Sequence, residues 1–111
     1  MIKNIKSILD IINDYEVFLF DQWGVVHDGE NIFPDAENVF KILQEKQKKV
    51  FIISNSGKRS SDNINRMKKL GANYILNFPI ITSGDVCYDL LISNKEPFQN
   101  IGNKYFVIAT D

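Results

Sequence analysis

A chain of 111 residues is long enough for one domain, or for part of a larger one. Its 44% apolar content can bury a core, and 13 basic against 14 acidic residues leave a net charge of -1. Such a composition excludes disorder, and it removes the electrostatic basis for binding nucleic acid or an anionic membrane surface.

The single cysteine, Cys87, cannot form an internal disulfide, and no CxxC or Cys/His cluster offers structural zinc. It reads as a small buried apolar group. The apolar runs are too short to span a bilayer. The opening MIKNIKSILDIINDYE interleaves charges every few residues and lacks the apolar core of a secretory signal. The expectation is a cytoplasmic α/β domain without repeats or linkers.

Taken in chain order, Ile2, Ile5, Ile8, Leu9 and Ile12 have the spacing of one helical stripe across residues 2–13. Val17-Phe18-Leu19-Phe20 follows, a continuous apolar run of the kind found in strands covered on both faces, and it ends at Asp21. Gly24 and Asp28-Gly29 mark irregular chain. Pro34-Asp35 opens a helix whose apolar face is Ala36, Val39, Phe40 and Leu43. Val50–Ile53 is a second buried-type strand, ending at Ser54-Asn55-Ser56-Gly57. Ser60 or Ser61 caps a third helix with Ile64, Met67 and Leu70 inward and Gly71 at its end. Pro79 confines the next extended stretch to Ile80–Thr82. Gly84–Leu91 reads as a short helix, and Tyr105–Ala109 as a last strand. Strands alternating with helices predict right-handed βαβ units and a parallel sheet.

In such sheets, function sits at the carboxyl ends of the strands. A carboxylate fixed there, at Asp21, can serve as a nucleophile or metal ligand, although a turn aspartate looks the same in sequence. One strand away, at about 5 Å laterally, Ser54-Asn55 offers a hydroxyl and backbone N–H groups suited to phosphate oxygens.

These segments carry a resemblance. VFLFDQWGVVHDG (Val17–Gly29) resembles the first motif of the haloacid dehalogenase superfamily, and FIISNS (Phe51–Ser56) resembles its second. ILDIINDYE, PDAENVFKILQEK, KRSSDNINRMKKLGA and IITSGDVCYDLL resemble the class IIA branch in its DxWG form, in order and over almost the whole chain. The resemblance implies an α/β Rossmannoid fold, a mainly parallel sheet with flanking helices and an incomplete core. Residues 1–103 would be the N-terminal part of the core domain, and residues 104–111 the start of an otherwise absent cap.

It also implies a hydrolase. Asp21 would attack phosphorus of a small phosphorylated metabolite to give an aspartyl-phosphate, later hydrolysed by water. Mg2+ would be held by Asp21 and the backbone carbonyl of Trp23. Ser54 would hydrogen-bond the phosphoryl group, with Asn55 supporting it. Gly24 would permit the turn after the nucleophile, and Val25–Ile32 would form a flap. Where phosphatases of the superfamily carry an aspartate as general acid, this chain has Trp23, whose indole cannot protonate an alkoxide. Alternatives are a dehalogenase-like hydrolase whose leaving group needs no acid, or a degenerate phosphate-binding module. Asp28 reads as an Asp-Gly turn and only secondarily as a substitute acid.

The superfamily's third motif and its acidic fourth motif have no counterpart, so the chain is expected to be a fragment or truncated product, inactive or nearly so alone, and to bind Mg2+ weakly. Gly84–Asp89 has the GDxxxD form of the fourth motif. It lies two strands, about 10 Å, from Asp21, and reads instead as a helix start with Ser83 or Asp85 near the cap. Lys58 and Arg59 either attract an anionic substrate or solvate a loop. His27 is assigned no role. Without a fourth strand, Val17–Phe20 would be a sheet edge open to self-association.

Overall fold

The computed structural model describes residues 4–108. Its frame is three parallel strands in the order β1-β2-β3: β1 (Val17–Phe20), β2 (Lys49–Ser54) and β3 (Ile80–Thr82). Phe18 lies opposite Val50 and Phe20 opposite Ile52, and Ile52 in turn faces Ile80. The crossovers carry α1 (Ala36–Glu45) and α2 (Ser60–Lys69), and α3 (Ser83–Ile92) follows β3 directly.

Alternation along each strand decides what is buried. Phe18, Val50 and Ile52 point into a core closed by Phe40 and Leu43 of α1, Met67 of α2, and Ile75 from a 3-10 segment at Asn73–Asn77. Phe20 and Phe40 have ring centroids 4.8 Å apart, and Phe40 meets Tyr74 at 5.6 Å and Phe78 at 5.4 Å. Offset and tilted ring pairs of this kind add to the burial itself. Leu43 and Ile52 are fully buried, so each side chain supplies about 1.5–3 kcal/mol by burial.

The opposite face of the sheet differs from the expectation. Val17 and Leu19 of β1, with Ile53 and Ile81, are exposed, Leu19 by 61%. The apolar run predicts cover on both faces, but α1 and α2 contribute their buried residues to one core on one face. Beside the other face stands α3, which has no buried residue of its own.

Other boundaries move for local reasons. The Ile2–Ile12 stripe forms only a 3-10 turn at Ile8–Ile11, capped by Ser7 and Asp10, and residues 1–3 lie outside the described residues. Among the described residues of the stripe Ile12 alone is buried, too little packing to sustain a longer helix. Arg59, not a serine, holds the N-cap position of α2, whose first residue is Ser60. Thr82, not Ser83 or Asp85, caps α3, accepting from the Asp85 N–H at 3.0 Å. Tyr105–Ile108 form no strand and are strongly exposed, Phe106 by 92%, and Ala109 lies outside the described residues. Cys87 is exposed rather than buried, because α3 has no buried face and Cys87 lies along the open cavity. No helix among the described residues is long and apolar enough to cross a membrane.

Candidate active site

At the carboxyl ends of the strands lies a cavity of about 780 Å3. Asp21, Ser54, Asn55, Thr82 and Ser83 form its polar rim. Ile53 and Ile81 of the open sheet face, with Val86 and Leu90 of α3, form its apolar wall. Asp21 directly follows Phe20, which pairs with Ile52. It therefore stands level with Ile53 and one position short of Ser54 on the neighbouring strand. Asp21, Ser54 and Asn55, which the sequence singles out, are thus brought to one cavity.

Local hydrogen bonds orient the rim. Asp21 Oδ1 accepts from the Gln22 N–H at 2.7 Å, which fixes the carboxylate on its own backbone. Ser54 Oγ accepts from the Ser56 N–H at 3.2 Å. A hydroxyl that already accepts can turn its own proton outward to an anion. Ser83, the first residue of α3, also reaches the rim, so the partly positive helix N-terminus adds to the preference for negative charge. The sequence offers Ser83 as a helix cap and Thr82 as a strand end, and marks neither as a site residue. Their signal is the third strand end itself, the Thr82-Ser83-Gly84 junction.

Trp23 is not on this rim. Its indole is 59% exposed and lies with Arg66, Gly29, Asp28 and Glu30 around a separate hollow of about 500 Å3. The Arg66 guanidinium stands over the ring at 4.9 Å, and the His27 ring meets it edge-on at 5.6 Å. His27 is buried, and its Nδ1 accepts from the Gly29 N–H at 3.0 Å. Burial, and then the Arg66 charge, lowers its pKa against the opposing pull of Asp28 and Asp21. Sequence reasoning assigned His27 no role, and in the fold it is a buried residue of the flap that packs against Trp23. Gly24 has φ of 78, in the left-handed region expected of the turn after Asp21. Asp28 Oδ1 accepts from the N–H groups of Glu30 and Asn31 at 2.9 and 2.7 Å, a turn aspartate rather than a rim acid.

The GDxxxD segment is also settled by its contacts. Asp85 accepts from the Ser60 N–H at 3.0 Å and from Arg59 Nε. Hydrogen bonds from Ser60, and then from Arg59, hold its carboxyl at about 2. Arg59 also lies 3.8 Å over the Tyr88 ring. So Asp85 and Arg59 join α3 to the start of α2, and Arg59 neither solvates a loop nor faces the cavity. Among the described residues no three His, Cys, Asp or Glu side chains gather as a metal cluster.

A three-stranded parallel sheet with an aspartate at one strand end and Ser-Asn at the next agrees with the family comparison. Residues 18–111 match the model of the haloacid dehalogenase-like hydrolases. The chain belongs to that family. A crystal structure of a haloacid dehalogenase-like hydrolase from Brucella suis superposes with a TM-score of 0.67 at 30% identity, covering 78% of this chain and 33% of that one. A Caenorhabditis elegans protein bearing the name NipSnap protein is 29% identical over 104 residues, 92% of this chain and 19% of that protein. The chain therefore spans about a third of the Brucella suis hydrolase and about a fifth of the Caenorhabditis elegans protein.

Proposed function

We propose that this hydrolase chain carries the nucleophile side of a phosphoryl-transfer site, with Asp21 as nucleophile. One observation supports the reading above all: Asp21, Ser54 and Asn55, from adjacent parallel strand ends, line one cavity. A carboxylate oxygen of Asp21 attacks phosphorus of a small phosphate ester, the ester oxygen leaves with its electron pair, and water later hydrolyses the aspartyl-phosphate. The Ser54 hydroxyl donates to a phosphoryl oxygen, and Asn55 borders the same oxygens.

A magnesium ion at this cavity would take Asp21 as one ligand and would need others to complete it. Asp21 supplies one carboxylate and the Trp23 backbone carbonyl is the second candidate, while Asp85 is engaged with Ser60 and Arg59. Magnesium is commonly held by one or two carboxylates together with substrate phosphate and water. When bound it offsets the repulsion between the Asp21 carboxylate and the phosphate.

The leaving group is where this chain departs from an alkyl phosphatase. The Trp23 ring lies away from the cavity, and Asp28 is tied into its own turn. Departure without a proton favours stable anions as leaving groups. The chain alone is expected to be nearly inactive, so with Mg2+ its residual turnover should be of p-nitrophenyl phosphate and not of a simple alkyl phosphate, and Asp21→Asn should abolish it. Wild-type turnover by Asp21→Asn, with deamidation excluded, refutes the nucleophile. Phosphate binding without turnover of either ester by the unaltered chain makes the module a binder instead.

A further inference from the structure

Two residues after Asp21, an indole is gripped from several sides without touching the cavity. The Arg66 guanidinium covers the Trp23 ring at 4.9 Å, and Arg66 Nη2 donates to the Gly29 carbonyl at 3.3 Å. Gly29, at φ of 107, lies so close that a Cβ there would overlap Cη2 of the indole. Only glycine combines that backbone angle with that approach. The His27 ring closes a further side. Arg66 thus joins α2 to both the indole and the flap backbone.

The turn that bears Trp23 also bears Asp21. The Gly24 N–H donates to the His27 carbonyl at 2.8 Å, and the Gln22 carbonyl accepts from Val26 N–H at 2.8 Å. The Gln22 N–H in turn holds the Asp21 carboxylate. A side chain that fixes Trp23 therefore fixes the short run from Asp21 to Val26 as a unit.

We infer that Arg66 is a positioning residue: through its grip on Trp23 and Gly29 it sets the direction of the Asp21 carboxylate from the far side of the flap. The inference rests on Asp21 as the nucleophile, but its test uses no substrate, so the two can fail separately. Arg66 lies on α2, outside the cavity, and a stack on an exposed ring holds position without closing the site. Lysine in its place keeps the charge and loses the planar fork that covers the ring and reaches Gly29 at once.

The test compares amide hydrogen exchange and amide resonances in the unaltered chain, Arg66→Lys and Arg66→Ala at pH 7.5. In Arg66→Ala, exchange at Gly24, Val26 and Gly29 should quicken by about twofold to fivefold, the factor an exposed cation–π contact carries. The Gln22 amide resonance, which reports the Asp21 carboxylate, should shift with it, and Arg66→Lys should fall between. The amides of Val50–Ile53 serve as the internal reference for general destabilisation and should not change. Unchanged exchange in the flap, equal quickening in β2, or quickening without movement of the Gln22 resonance overturns the inference.

Discussion

Asp85 joins two helices through one carboxylate, receiving the Ser60 N–H and Arg59 Nε while its own N–H caps onto Thr82. Its folded pKa, about 2, lies below the ordinary 3.8. The charge therefore contributes fully above the unfolded value, and the contribution is lost as pH falls through the folded one. Asp85→Asn should lower the melting temperature at pH 7, and the gap to the unaltered chain should narrow from about pH 4 and close near pH 2. An equal gap at both ends of that range would mean that the charge contributes nothing. The residue's form was legible, since GDxxxD is plain in the sequence. Its contacts were not, because Arg59 and Ser60 lie 25 and more positions away and only the crossover brings them close. Trp23 is the reverse case. Its chemical consequence, a missing acid, follows from residue type alone, whereas its contacts with Gly29 and Arg66 need the folded flap.

Among the elements, the junction of α3 with the loop after β2 holds the site's second wall. Gly84 N–H donates to the Ser56 carbonyl at 3.0 Å, and a Cβ at Gly84 would strike the carbonyl oxygens of Gly57 and Lys58. Backbone cannot rotate aside, so Gly84→Ala should destabilise by about 1–3 kcal/mol. It should also shift the amide resonances of Ser54–Ser56. Gly57→Ala, where nothing lies within 4 Å of the added carbon, is the control and should stay within about 0.5 kcal/mol. Denaturant melts of both variants check this, and equal losses would contradict it. The strands were legible because runs of four apolar residues between polar turns have few other uses. The N-terminal stripe and Tyr105–Ile108 misled for a common reason. Spacing and β-propensity name a residue's suitable surroundings, and Ile5, Leu9 and Tyr105–Ile108 find no covering element among the described residues.

β1 pairs only with β2 among the described residues, so its other edge presents unpaired backbone beside the exposed Val17 and Leu19. No charged residue interrupts Val17–Phe20, and such an edge invites a second strand. Light scattering over a concentration series should show association, and Leu19→Lys should suppress it. A stable monomer with slow exchange at Val17–Phe20 would mean the edge is covered.

As a whole the molecule is a half-clad sheet. One face carries the core, while the other carries the cavity and an apolar surface left open. Its radius of gyration is 17.0 Å, against about 13 Å for a compact domain of this length. That extension agrees with the exposure of Ile101 and Tyr105–Ile108, which pack on no strand. On the proposed reading, the reacting groups would be those of the rim, where Asp21, Ser54 and Asn55 line one cavity. The most direct test is to mix the chain with p-nitrophenyl phosphate and Mg2+, quench in acid within one turnover, and map the peptides by mass spectrometry. The expected result is one phosphoryl group on Asp21, removed by hydroxylamine and absent from Asp21→Asn. Nitrophenol release from the unaltered chain with no adduct, or an adduct that persists in Asp21→Asn, would contradict it.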